Sequence, residues 1–434
     1  MGSAAEAGGT AVPEGSTSSP GLRRGLGFWG VALSGVGVIL GAGIYALIGP
    51  AAGRAGGALW LAFLAAGVVS ALTAHSYARL SALHPRNAAE FQYLRAAFGM
   101  RAGFIGGWVM SASNVVAIAA ISLGFAGYLQ VLLPLPLAAG ALLLIGLCGL
   151  LLWAGIRESV GFAVAFTLVE LLGLLLVIAF GLPRWGEADY LEMPHGLAGI
   201  GGAAALIFFA YLGFEGLANM AEEARQPERV LPRAILTAVA ITTAIYILVA
   251  VAVVSAVPWQ QLEGSASPLA LMVGTVAGPR TGLLLVLLAL AATANTVLLM
   301  MLSVSRNLYG MGQAGALPRW LGRVGRRRTP WAATVAAALL AAGFALLGDL
   351  TTVAELSNGA VLLLFTMVNL ALLVLWRRGE APGSGKRALL PAAGAATCLA
   401  LLLCTGWHGA SFGLGMVALG LLASRLFVPK GSPT

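Results

Sequence analysis

Gly35-Val36-Gly37-Val38-Ile39-Leu40-Gly41-Ala42-Gly43-Ile44-Tyr45 lies inside the first long apolar run of the chain, with four glycines in nine residues. Each glycine inside a helix costs about 0.5–1 kcal/mol relative to alanine, so this stretch is a poor stiff rod. Two readings are open. Gly37 and Gly41 form a small-xxx-small pair that lets a second helix pack closely, or the helix is interrupted here. A later stretch, Phe208-Phe209-Ala210-Tyr211-Leu212-Gly213-Phe214-Glu215-Gly216, repeats the oddity, with two glycines and an ionisable residue in the middle of another apolar run. Paired interrupted helices at matching positions of two halves are the sequence sign of a binding site near the membrane midplane, and the pairing favours interruption over simple packing.

Both stretches sit in a chain suited to lipid. Hydrophobic residues fill 59% of its 434 positions and charged residues only 9%, too few to clothe a soluble surface. Apolar runs of roughly 18–25 residues recur along almost the whole length, and each can cross a ~30 Å hydrocarbon core as a helix. The runs are continuous and lack the in–out alternation of barrel strands. The expected fold is an all-α polytopic membrane protein of about twelve spans, at 27–50, 56–80, 102–132, 136–154, 159–181, 199–222, 233–257, 280–309, 331–347, 351–376, 388–405 and 410–428. Pro134, Pro136, Pro183, Pro232, Pro258, Pro330 and Pro391 punctuate the joints. Ser267 to Ala277 is apolar but too short to span, and reads as an extracellular interfacial helix. Residues 1–22, rich in Gly, Ser, Ala and Pro, read as a disordered cytoplasmic tail without the apolar core of a signal peptide.

Orientation follows from the basic residues. With the N-terminus inside, all 25 Lys and Arg except Arg54, Arg184 and Arg280 fall on the cytoplasmic side, an N-in, C-in arrangement. The cluster Arg319, Arg323, Arg326, Arg327 and Arg328 then faces anionic headgroups. The net charge of +9 therefore needs no nucleic acid, for which interleaved aromatics and a soluble domain are lacking. Arg far outnumbers Lys beside abundant Ala, Gly and Leu, a coding bias that points to a bacterial cytoplasmic membrane. Cys148, Cys398 and Cys404 all lie in expected spans, so neither a disulfide framework nor a metal set is indicated, and no cofactor is expected.

The chemistry of an interrupted helix defines a site. An unwound turn leaves the amides of the following half-helix unpaired at the positive end of its dipole. A substrate carboxylate fits there, on the amides near Gly41, Ala42 and Gly43. Unwound carbonyls near Phe209, Ala210 and Tyr211 suit an ammonium group. A zwitterion satisfies both ends at once and is buried without an unpaired charge. Ile39 and Gly213, flanking the two interruptions, complete the expected substrate-binding set.

Taken in order, these residues are similar to the amino acid–polyamine–organocation permeases, from about Leu26 to the last span. The Gly-rich first span resembles that family's first helix. Ser76-Tyr77-Ala78 through Pro85-Arg86 to Glu90-Phe91-Gln92-Tyr93-Leu94-Arg95-Ala96-Ala97-Phe98-Gly99 resembles its second span and loop. Phe209 to Ile235, with Glu222-Glu223, Pro227-Glu228-Arg229 and Pro232-Arg233, resembles its sixth span and exit loop. Ser303-Val304-Ser305-Arg306-Asn307-Leu308-Tyr309-Gly310 through Leu317-Pro318 resembles the end of its eighth. Arg79, where the family often has Glu, and Asn87-Ala88-Ala89, in place of Ser-Gly-Gly, depart from the pattern at the cytoplasmic mouth.

The resemblance implies a LeuT-like inverted repeat of five plus five helices with broken helices one and six, alternating access, and substrate held between spans one, three, six, eight and ten. The corresponding units are a tail at 1–22, repeats at 23–181 and 182–378, and two accessory helices with a short tail at 379–434. The implied function is secondary transport of amino acids or related amines, proton-coupled or by exchange. Asn114 falls where some relatives place a substrate-contacting Asn, with an interhelical hydrogen bond as the other reading.

Carboxylates inside spans are expensive, which makes each a candidate. Glu170, near the centre of span five, is expected to couple proton movement to transport; its alternative is a permanently protonated carboxyl bonded to a neighbouring helix. Glu215 reads first as a cap on the second half of span six, and otherwise as a gate or a contact for a cationic side chain. Glu355 joins either an outer gate or a packing contact. Phe209 and Phe214 are candidate gates, against the alternative of plain packing. Intramembrane hydrolysis would need a nucleophile–base pair or metal set, and no such motif occurs; nor do the charge rings of a channel. A sensor that binds amino acids with little transport is the remaining alternative.

Overall fold

The computed structural model describes residues 27–84, 88–155, 160–220, 224–313, 317–325, 329–381 and 388–427. The N-terminal tail 1–22, Pro85 to Asn87, Glu222, Glu223 and Arg326 to Arg328 lie outside them. The architecture is all-helical: α1 (Phe28–Leu40), α2 (Gly43–Ala55), α3 (Leu59–Leu83), α4 (Ala89–Phe98), α5 (Met100–Leu129), α6 (Leu137–Ala154), α7 (Val160–Gly181) and α8 (Gly196–Ile207) form the first part. The second comprises α9 (Pro227–Ala256), α10 (Trp259–Glu263), α11 (Pro268–Ala277), α12 (Pro279–Gln313), α13 (Trp331–Ala345), α14 (Leu350–Arg377), α15 (Leu389–Cys404) and α16 (Gly406–Phe427).

Among the described residues, 9 helical stretches are long and apolar enough to cross a membrane, and Phe28–Leu40, Pro268–Ala277, Trp331–Ala345 and Leu389–Cys404 are shorter apolar helices. Their outward faces suit hydrocarbon. Leu143, Leu147 and Leu150 on α6 and Leu168, Leu172 and Leu175 on α7 recur at helical spacing and are all exposed. Such stripes are costly in water and neutral in lipid. The chain is thus a polytopic helical membrane protein.

Small residues let the inner helices approach. Gly124 of α5 rests on Ala46 of α2, and Gly67 of α3 on Thr243 of α9, where an added methyl would stand 2.5 and 2.7 Å from the neighbour. Buried polar side chains tie the helices that these contacts bring together. Ser113 of α5 meets Ser357 of α14 (Oγ–Oγ 2.9 Å), and Asn369 of α14 accepts from Ser76 (2.6 Å) and donates to Thr73 (3.1 Å) of α3. Helix α11 occupies the expected short segment, with Leu269, Met272 and Val273 buried. Helix α4 and the loop of residues 185–195 were not anticipated. The loop's backbone covers the α2–α3 joint, with Glu192 O accepting from Ala58 N at 3.1 Å and Tyr190 O from the Trp60 indole at 3.0 Å.

Candidate functional site

The first apolar run is interrupted where its glycines crowd. Helix α1 stops at Leu40, Gly41 turns with φ 18° and ψ −167°, and α2 starts afresh at Gly43. The second interruption is longer: α8 ends at Ile207, Phe208–Tyr211 tightens to a 3₁₀ turn, Leu212 is extended, and a second 3₁₀ helix runs from Phe214 to Met220. Gly213 there has φ +126°, a conformation open to glycine. Asn358 of α14 donates to Ala205 O (2.7 Å) and Leu206 O (3.2 Å), satisfying carbonyls where the helix changes pitch.

The two interruptions cross each other. A Cβ on Gly43 would stand 2.7 Å from Cα of Ala210, and one on Gly213 would stand 3.0 Å from the carbonyl oxygen of Val38. Gly41 is roomier, its nearest neighbours at 3.6 Å or more, with Thr296 of α12 at 3.9 Å. Glycine is therefore demanded by close approach at Gly43 and by backbone conformation at Gly213, while the space around Gly41 would hold a methyl group. Ile39, Gly41, Ala42, Gly43, Phe209, Ala210, Tyr211 and Gly213 all fall at this crossing or directly beside it.

Tyr246 of α9, fully buried, joins the two interruptions with one hydroxyl. It lies 2.8 Å from Ile39 O, 3.1 Å from Leu40 O and 2.9 Å from Ala210 O. A hydroxyl carries a single proton, so three acceptors converge on one donor. The ring is braced by Phe63 (5.6 Å between centroids) and Tyr211 (5.2 Å, edge to face). This residue escaped sequence reasoning, because a tyrosine in an apolar span carries no periodic or charge signal. The carbonyls expected to be free differ accordingly: Ala210 O faces Tyr246, and Phe209 O accepts from Leu212 N at 3.3 Å. The Tyr211 side chain turns away to donate to Phe63 O at 2.8 Å.

The ionisable and gate candidates are dispersed around this crossing. Glu215 is buried, and its carboxylate accepts from Gly213 N at 2.8 Å, a cap on the interruption itself. Phe214 packs edge-on to Tyr77 (5.7 Å) and against Phe365 (5.3 Å), inside an aromatic cluster. Phe209 is 5% exposed. Glu170 of α7 is 3% exposed, and its carboxyl meets the side chain of Asn295 on α12. Its backbone carbonyl accepts from Tyr45 at 2.7 Å, while Tyr45 O accepts from Tyr128 at 3.0 Å. Asn114 is half-buried and makes no side-chain hydrogen bond among the described residues, so the interhelical bond is not formed. It lies ten residues, about 15 Å of helix, before the point where Gly124 meets α2.

Above the crossing, Arg54 of α2 pairs with Glu355 of α14 at 2.6 Å and donates to Gly202 O of α8 at 3.2 Å. Glu355 therefore belongs to a tie across three helices. Below it, Tyr77 donates to Glu90 of α4 at 3.1 Å. Burial holds the Glu90 carboxyl above its ordinary value of 4.5, partly offset by a backbone hydrogen bond and the Tyr77 hydroxyl. Two cavities open at the ends of the bundle. One of about 330 Å³ lies beside Arg184, Glu187, Asp189 and Trp259, and one of about 570 Å³ beside His75, Arg79 and Arg233.

A family model described as amino acid permease matches residues 26–422. The branched-chain amino acid permease BcaP of Bacillus subtilis is 27% identical over 441 residues, covering 95% of this chain and 94% of its own. An uncharacterized transporter of Mycobacterium tuberculosis is 32% identical over 410 residues, with 93% and 91% covered. Human cationic amino acid transporter 4 is 30% identical over 402 residues, with 86% of this chain and 62% of its own covered.

Proposed function

Because this chain belongs to the amino acid permease family, we propose that it carries amino acids across the cytoplasmic membrane as a secondary transporter working by alternating access. Twelve spans arranged as two inverted five-helix repeats with two accessory helices, and both termini inside, form the framework of this reading. The observation that carries it is the crossing of two interrupted helices at Gly43 and Ala210. There the amides at the start of α2 receive a carboxylate, and carbonyls gathered around Tyr246 receive an ammonium group.

Neutral aliphatic amino acids are the favoured cargo. The carboxylates near the crossing are engaged, Glu215 by the Gly213 amide and Glu170 by Asn295, so neither is left to pair with a cationic side chain. Ile39, Phe209 and Phe214 supply the apolar surroundings. The relative named as a branched-chain permease points the same way. Counterflow in proteoliposomes tests this: preloaded leucine should drive entry of labelled leucine or isoleucine well above labelled arginine. Binding of leucine without flux would return the protein to the sensor reading, which nothing among its relatives supports. Preferred flux of arginine would overturn the assignment of cargo.

Proton coupling at Glu170 is the second part of the reading, supported by a carboxyl buried in α7 beside the uncharged side chain of Asn295. Replacing it with Gln keeps the shape and removes the titrating group. Uptake driven by a pH gradient should collapse in Glu170→Gln while exchange persists. Intact proton-driven uptake in that variant would dismiss the role.

A further inference from the structure

The cavity of about 570 Å³ at the cytoplasmic ends of α3 and α9 is lined by His75, Ala78, Arg79, Glu228, Arg229, Pro232, Arg233 and Leu236. Its lining holds three arginines and one glutamate, and none of the three arginines is in an ion pair among the described residues. The Nε2 atom of His75 is buried without a hydrogen-bond partner. Ala78, Pro232 and Leu236 supply an apolar wall beside this donor set. The cavity is separate from the candidate transport site. Gly67 of α3 stands at the level of the Tyr211 hydroxyl, and His75 and Arg79 lie eight and twelve residues further along, about 12 and 18 Å of helix.

We propose that this cavity is a binding site for a phosphate oxyanion, supplied either by the headgroup of an anionic inner-leaflet phospholipid or by free phosphate. Arginine forks match two phosphate oxygens at once, and the imidazole N–H adds a third donor. Guanidinium groups without an ion pair among the described residues gain from an anion that several of them can share. The apolar wall accommodates the glycerol and the first methylenes of a lipid. This differs from general attraction of the cytoplasmic face to anionic lipid, because the donors line one cavity that opens to solvent.

The full chain would be examined by native mass spectrometry with phosphatidylglycerol or phosphatidylcholine added, and by thermal unfolding with sodium phosphate against sodium chloride at equal ionic strength. Retention of phosphatidylglycerol over phosphatidylcholine identifies the lipid as the source; stabilisation by inorganic phosphate without lipid preference identifies the free ion. In either case Arg229→Gln and Arg233→Gln, both at exposed positions, should each weaken the preferred ligand about fivefold. Arg319→Gln and Arg323→Gln, on another cytoplasmic loop, should leave it unchanged. Preference for neither ligand, or equal weakening by the two pairs of variants, would overturn the site. Arg79→Gln extends the test to the partly buried arginine, with the exposed pair deciding the outcome if that variant does not fold.

Discussion

Tyr246 presents one proton to three carbonyls, and the arrangement makes this side chain the common partner of both interrupted helices. Removing the hydroxyl leaves buried acceptors without a donor, a loss of about 1–3 kcal/mol. Tyr246→Phe should therefore lower the unfolding temperature in detergent and slow leucine counterflow about tenfold; an unchanged melt with unchanged flux would show that the hydroxyl is incidental. Glu90 offers a pH test outside the spans. Its folded carboxyl titrates above the ordinary 4.5, so the stability it contributes is present below that value and is lost as pH rises through the raised one. Wild-type protein should thus lose melting temperature by this contribution as pH rises above the ordinary carboxylate range, while Glu90→Gln, which keeps the acceptor for Tyr77, should show a flatter profile. The sequence made Glu215 legible as a cap, since a carboxylate just after Gly213 has an obvious backbone donor. It left Tyr246 hidden, because its partners lie 36 and more than 200 residues away.

At the scale of elements, the glycines sort themselves by what surrounds them. Gly43→Ala drives a methyl onto the backbone of Ala210 and should cost about 1–3 kcal/mol with loss of transport. Gly216→Ala meets open space and should stay within about 1 kcal/mol of wild type. Parallel thermal melts and counterflow assays of the two variants check the contrast, and equal damage from both would show that helix stiffness rather than contact matters. That the first and sixth apolar runs break was readable, because glycines and a carboxylate in mid-membrane have few other uses. Which glycine is indispensable was not, since that depends on the partner helix. Helix α4 and the loop over the α2–α3 joint were equally hidden. Their amphipathic or turn-rich composition resembles any connection, and their place is set by tertiary contacts such as Trp60 with Tyr190.

Across the whole molecule, the outer ends of α2, α8 and α14 are drawn together by Arg54 through Glu355 and Gly202. Arg54 is a third exposed, so the tie is modest in energy. Glu355→Gln should raise amide hydrogen exchange at the outer ends of α2 and α8 about tenfold, corresponding to a charged hydrogen bond of roughly 1.5 kcal/mol. The reversed pair Arg54→Glu with Glu355→Arg should recover most of the protection. Exchange unaltered by the single change would mean the pair is packing only. The same α14 is pinned from behind. Gly359 touches the backbone of Gly409 and Gly413 on α16, and Gly409 in turn lies against the Glu355 carbonyl, contacts too tight to admit a methyl group. A rod seated backbone to backbone on its neighbour has little freedom to tilt. The final helix therefore works as a buttress for α14: any side chain larger than a hydrogen atom at Gly359, Gly409 or Gly413 would wedge the two rods apart.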